Sequence, residues 1–145
     1  MVGIELDMVV PDSLEALKLY EQIFELERIE VTGFDRGQNE VIFKLYDLKI
    51  HMLDENTDVG LKAPSENSLL PMWLNVTVPN IAETFSKALD AGCTTIQPIT
   101  EIPDFGVSNA LFVDPYGYQW LLHQVHKEVS FEERNALWEE KLKED

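Results

Sequence analysis

The sequence predicts an α+β fold made of two tandem β-α-β-β-β modules followed by a C-terminal helix. Three observations carry that prediction. Strand-type alternation and helix-type apolar stripes recur in the same order in both halves of the chain. "VPDSLEAL" at residues 10 to 17 is echoed by "VPNIAETF" at residues 78 to 85, a spacing of 68. The corner "YDLKIHML", which starts at Tyr46, aligns with "YGYQWLLH", which starts at Tyr116, at a spacing of 70. Two echoes at nearly one spacing point to duplication, and two copies are too few for a solenoid, which leaves a pseudo-symmetric pair.

Module one covers about residues 3 to 55. In "GIELDMVV", Ile4, Leu6, Met8 and Val10 alternate with Glu5, Asp7 and Val9, the period of a strand with one buried face. Pro11 ends this strand, and Asp12 or Ser13 caps a helix with Leu14, Leu17, Ile23 and Phe24 on its apolar side, expected to stop near Leu26. "ERIEVTGF", "NEVIFKLY" and "LKIHML" are rich in β-branched and aromatic residues and read as three strands. The polar stretch at about 56 to 69, with Gly60 and Pro64, suits a connector.

Module two covers about residues 70 to 126. "MWLNVTV" is its first strand, Pro79 and Asn80 start a helix carrying Ile81, Phe85 and Leu89, and Gly92 ends it. The strands "TTIQPIT", "VSNALFV" and "YQWLLHQV" follow, the last two joined by the turn "DPYG". Between the first two, "EIPDFG" reads as an ordinary loop that could also cover a cleft. Ser130 and Glu133 form a capping box ahead of Phe131, Leu137, Trp138 and Leu142, which predicts a terminal helix at about 130 to 143. Its apolar residues are expected to pack on the domain or on a second copy, because its acidic polar face does not suit a membrane anchor.

A chain of 145 residues with 45% hydrophobic content has the size of one domain. Its formal charge of −16 repels phosphate backbones and anionic lipid, so neither nucleic acid nor membrane is an expected partner. Cys93 is the only cysteine, which excludes an internal disulfide and a CxxC pair and fits a reducing, cytoplasmic setting. A packing role is expected for Cys93, as there is no base beside it in "DAGCTTI". Neither a basic leader nor an apolar run of membrane-spanning length is found. No spacing supports a Ser-His-Asp triad, a phosphate-cradling glycine loop or a dinucleotide fingerprint.

The paired modules, the "VPD" turn from first strand to helix, and "DPYGYQW" leading into the last strand resemble the glyoxalase/bleomycin-resistance/extradiol dioxygenase, or vicinal oxygen chelate, superfamily over roughly residues 3 to 126. The tail "HKEVSFEE" is most similar to the PhnB-like branch. The resemblance implies a curved mixed sheet whose concave face makes a cleft, often completed by a second subunit, so a homodimer is expected. It also implies one divalent metal in that cleft, held by residues of the first and fourth strands of each module, with open positions that chelate neighbouring oxygens of a substrate.

Carried onto this chain, the four places fall on Glu5, His51, Trp73 and Leu121, and the internal repeat relates the same four. Only Glu5 and His51 can bind a metal. A catalytic divalent site needs about three protein ligands, so no cofactor is expected, and the metal, if there is one, rests on Glu5 and His51. Trp73 and Leu121 instead suit apolar capture of a small, partly aromatic or amphipathic ligand. Asp7, Asn75 and His123 share that strand face and join them as candidate ligand-binding residues. Glu5 and His51 also form a candidate catalytic pair, a base and its orienting carboxylate, able to move a proton without metal. Trp120, of opposite parity, is expected in the core, Trp138 in the core or an interface, and His126 at a surface strand end.

Overall fold

The computed structural model describes residues 1 to 65 and 70 to 144, so part of the connector lies outside the described residues. The first module runs β1 (Leu6–Val10), α1 (Ser13–Ile23), β2 (Glu27–Val31), β3 (Glu40–Leu45) and β4 (Leu48–Asp54). The second runs β5 (Trp73–Thr77), α2 (Ile81–Asp90), β6 (Thr94–Ile102), β7 (Val107–Val113) and β8 (Gln119–Val125), and α3 (Phe131–Glu144) follows it. The two four-stranded sheets have the orders β1-β4-β3-β2 and β5-β8-β7-β6. In each, the first strand lies parallel to the fourth and the other pairs are antiparallel.

The duplication extends to register and caps. Asp7 lies opposite His51 in the first sheet, and the residues 68 and 70 further on, Asn75 and Leu121, lie opposite each other in the second. Asp12 caps α1 by accepting from the Leu14 and Glu15 amides, and Asn80 caps α2 by accepting from the Glu83 amide. At the same offsets, the Ser13 amide donates to Asp54 Oδ1 at 2.7 Å, and the Ile81 amide donates to Gln124 Oε1 at 2.8 Å. Each fourth strand thus holds the start of its module's helix.

Asp54 is buried and accepts four hydrogen bonds: from the Ser13 amide and hydroxyl on Oδ1, and from the Gly37 and Asn39 amides on Oδ2. Burial pushes this carboxyl up, but the four donors outweigh it and hold the acid below its ordinary range.

Both helices pack on one face of the sheets and meet each other there, around Tyr20, Phe43, Phe112 and Trp120, all fully buried. Trp120 stands 5.2 Å from the rings of both Tyr20 and Phe24, so the expected core tryptophan links the modules. Asp114, at the head of the "DPYG" turn, receives the Tyr20 hydroxyl at 2.6 Å, the Trp120 indole at 2.9 Å and the Tyr116 and Tyr118 amides. Burial pushes its carboxyl above the ordinary carboxylate value despite those donors. Across the same joint, the Tyr118 hydroxyl donates to the Val9 carbonyl at 2.8 Å and accepts from the Val9 amide at 3.1 Å. Tyr118→Phe removes both bonds and leaves an edge strand's groups unpartnered at the seam, so urea denaturation should show a loss of about 1 to 2 kcal/mol.

Three local expectations need correction. β1 starts at Leu6, so Ile4 lies before the strand and is 99% exposed instead of facing the core. α1 ends at Ile23, where Phe24 turns extended to reach Trp120, three residues short of Leu26. On α2, Ala88 takes the buried place assigned to Leu89, which is exposed. On α3, Leu137 is half-buried while Phe131, Trp138 and Leu142 are exposed, so of the two expected coverings the domain itself does not supply one for those three. Of its capping box, the structure shows the Ser130 hydroxyl accepting from the Glu133 amide.

Candidate functional site

Strand alternation turns Met8 and Val10 into the core and leaves Asp7 on the opposite face, the one without helices. In β4, Ile50 and Met52 are buried and His51 takes the same open face. Direct pairing of Asp7 with His51, and the place of Glu5 just before β1, bring three side chains to one spot. His51 Nδ1 lies 3.4 Å from Asp7 Oδ1 and 3.5 Å from Glu5 Oε1. One donor atom from each of the three falls within 4.8 Å of the other two. On its far side, His51 Nε2 meets Glu40 Oε2 at 3.0 Å. Glu40 comes from β3, two residue pairs along from the Ile42–His51 pair and therefore on the same face.

The Glu40 contact gives the cluster its direction. In the tautomer that donates Nε2–H to Glu40, the Nδ1 lone pair faces two carboxylates, an arrangement that a cation between them would satisfy. A divalent ion bonded at about 2.0 to 2.3 Å spans donors up to about 4.6 Å apart. The exposed Glu5 and Asp7 need only small rotations to meet that span. One nitrogen and two carboxylate oxygens, with the other side of the spot open, fit a catalytic divalent site in donor type and in number. The equivalent places of module two, Trp73, Asn75 and Leu121, form no such set.

The structure therefore brings Glu5, Asp7 and His51 together, and it adds Glu40. Asp7 stood in the sequence as a ligand-binding candidate only. Its role in the cluster was legible in its parity with Glu5, whereas Glu40 gave no sequence signal, because its partner is set by the pairing of β3 with β4. Trp73, 55% exposed, lines an apolar niche of about 250 Å³ at the seam between the modules with Leu6, Asp7, Met72 and Tyr118. Leu121 is half-buried and pairs with Asn75 and Leu111 on the same strand face, away from that niche. His123 bonds to Asn109 through Nδ1 at 2.6 Å and lines a different cavity, beneath α3.

Burial pushes the Cys93 thiol up to about 12, so it carries no reactive thiolate. His126 is exposed and bonds to the Ser108 hydroxyl at 2.8 Å, but Ser108 is buried and out of reach of a substrate. No described helix is long and apolar enough to cross a membrane.

No protein-family model matches the chain. It is 27% identical over 133 residues to the uncharacterized protein Mb0911c of Mycobacterium bovis, covering 89% of this chain and 87% of that one. Among solved structures, it superposes on the fosfomycin resistance protein FosX from Listeria monocytogenes, complexed with Mn(II) and sulfate, with a TM-score of 0.68 at 16% identity, over 95% of this chain and 98% of that one. TioX from Micromonospora sp. ML1 matches with a TM-score of 0.62 at 14% identity, over 89% and 100%. The tandem βαβββ architecture built up above is accordingly the fold of the vicinal oxygen chelate, or glyoxalase/bleomycin-resistance, proteins.

Proposed function

We propose that this protein binds a small, oxygen-bearing and partly apolar molecule on its open strand face, at a divalent cation held by Glu5, Asp7 and His51. The observation that carries this reading is the orientation of His51: Glu40 takes one ring nitrogen and the other faces two carboxylates. Two ligands argued against a metal; three with an oriented imidazole argue for one. When bound, the cation supplies a Lewis acid able to polarise a ligand oxygen. Glu40 fixes the imidazole, Asp7 and Glu5 neutralise the added charge, and the Trp73 niche beside Asp7 receives the apolar part of the ligand. Lys49, 3.7 Å from Glu5 Oε2, holds that carboxylate in place without blocking its second oxygen.

The FosX structure with Mn(II) supports this choice of probe by analogy of fold alone. Calorimetric titration of Mn²⁺ into EDTA-treated protein should give one site per chain in the micromolar range, and no heat of binding would refute the reading. A second reading is favoured by the same triangle: with Nε2–H donated to Glu40, the Nδ1 lone pair of His51 can itself take a proton from a bound ligand, with the neighbouring carboxylates stabilising the imidazolium that forms, and no metal is needed. It predicts no Mn²⁺ site but loss of turnover in both Glu5→Gln and His51→Ala.

The PhnB-like tail and a cytoplasmic setting belong to this proposal, and so does a homodimer. The open face carries half-buried Val9, Ile42, Leu53, Leu111 and Leu121, and α3 carries exposed Phe131, Trp138 and Leu142, apolar surface suited to a second copy. Light scattering should give twice the 16.6 kDa chain mass. In Trp138→Glu that mass should fall toward one chain; an unchanged mass removes α3 from the interface.

A further inference from the structure

A charge-lined cavity lies in module two, away from the Glu5–Asp7–His51 cluster, and shares no lining residue with the cluster or with the Trp73 niche. Its volume is about 640 Å³, within the range of about 300 to 1,000 Å³ usual for small-molecule sites. The floor is the open face of β7 and β8 with the turn before β7, where Ile102, Phe105, Val107 and Val125 supply apolar surface. The leader and first turn of α3 form the opposite wall. That wall is fixed: the His126 and Lys127 amides both donate to the Gly106 carbonyl, at 2.7 and 3.0 Å. Gly106 has a φ of 67°, and a Cβ there would collide with the Lys127 carbonyl, so the close approach needs glycine.

Four charged side chains line this wall, two of each sign: Lys127, Arg134, Glu128 and Glu133. None forms an ion pair within 4.0 Å with another described residue, although opposite charges stand around one mouth. In a chain with 27 acids against 11 bases, Lys127 and Arg134 both reach this one cavity. His123, its Nδ1 occupied by Asn109, leaves Nε2 as the free ring position.

We infer that this cavity is a second ligand site, specific for a small zwitterion with an apolar body, the chemistry of an apolar amino acid or a short peptide. Arg134 and Lys127 receive the carboxylate, Glu128 and Glu133 the ammonium group, and the β7–β8 floor the side chain. A ligand with one charge would leave two like-charged residues facing its bare end, which is how the site discriminates.

The test uses the full-length, ¹⁵N-labelled protein in EDTA and three probes: L-phenylalanine, 3-phenylpropionate and 2-phenylethylamine. L-Phenylalanine should shift the amides of Val107, Asn109, Val125 and Ser130 saturably, with a Kd at least about tenfold below that of either single-charge analogue. Arg134→Gln, at an exposed helix position, should keep the native spectrum and weaken L-phenylalanine about tenfold while leaving 2-phenylethylamine unchanged. Equal affinity for 3-phenylpropionate, no saturable shift, or shifts confined to Asp7 and Trp73 would each overturn the inference. The EDTA keeps its outcome independent of the cation proposal.

Discussion

Asp54→Asn should lower stability by about 3 to 5 kcal/mol at neutral pH, or about 10 °C in Tm for a chain of this length. The carboxylate accepts four donors at 2.7 to 3.0 Å from two separate segments: the start of α1 at Ser13, and the loop at Gly37 and Asn39 that leads into β3. An asparagine keeps one acceptor oxygen and turns its amide protons toward two of those donors, so at least two buried N–H or O–H groups lose their partner and meet a like dipole. The acid is held below its ordinary value of 3.8, so its contribution is complete above that value and is lost as pH falls through the folded value. The stability gap between wild type and variant should therefore be constant from neutral pH to about pH 5 and shrink below about pH 4. Asp114 runs the other way, because burial raises it and its ionisation weakens the fold as pH climbs. That effect is common to both proteins and cancels in the difference. A gap that widens in acid would contradict the assignment.

His51→Ala should weaken Mn²⁺ binding by at least about 100-fold, equivalent to about 2.7 kcal/mol, because it removes the one nitrogen donor and the group that Glu40 orients. Asp7→Asn should cost about as much, since the amide keeps an oxygen but loses the charge that offsets the cation's desolvation. Glu40→Gln should cost less, about tenfold, as it keeps a hydrogen-bond acceptor for the imidazole but not the charge. All four residues lie on the open face, with Glu5, Asp7 and Glu40 at 40 to 53% side-chain exposure, so none of these changes should disturb the core. Circular dichroism and melting curves close to wild type would confirm that the affinities report the site.

Most of the architecture could be read from the chain because its signals are local. Alternation in "GIELDMVV", the caps Asp12 and Asn80 and the turn "DPYG" each act within a few residues, and the echo at 68 and 70 residues carried them into the second module. Failures came where tertiary contact overrode a pattern. Phe24 leaves α1 to meet Trp120, and Ile4 continues an apolar alternation beyond the first pair of β1 with β4, Leu6–Ile50. At the site, the resemblance to the vicinal oxygen chelate proteins pointed to Glu5 and His51, the internal repeat related them to Trp73 and Leu121, and parity put Asp7 on their face, but the identification of Asp7 as a direct neighbour of His51 needed the register of β1 on β4. Glu40 needed a second register, β3 on β4, which periodicity cannot supply. The separation of His123 from Leu121 into different surroundings followed from the position of α3, whose docking depends on Gly106.

The most direct measurement is pulsed electron paramagnetic resonance on protein loaded with one equivalent of Mn²⁺. A single directly coordinated imidazole nitrogen should modulate the spin echo, and the modulation should vanish in His51→Ala while His123→Ala and His126→Ala leave it intact. Mn²⁺ bound with no nitrogen modulation, or modulation that survives loss of His51, would contradict the cation site.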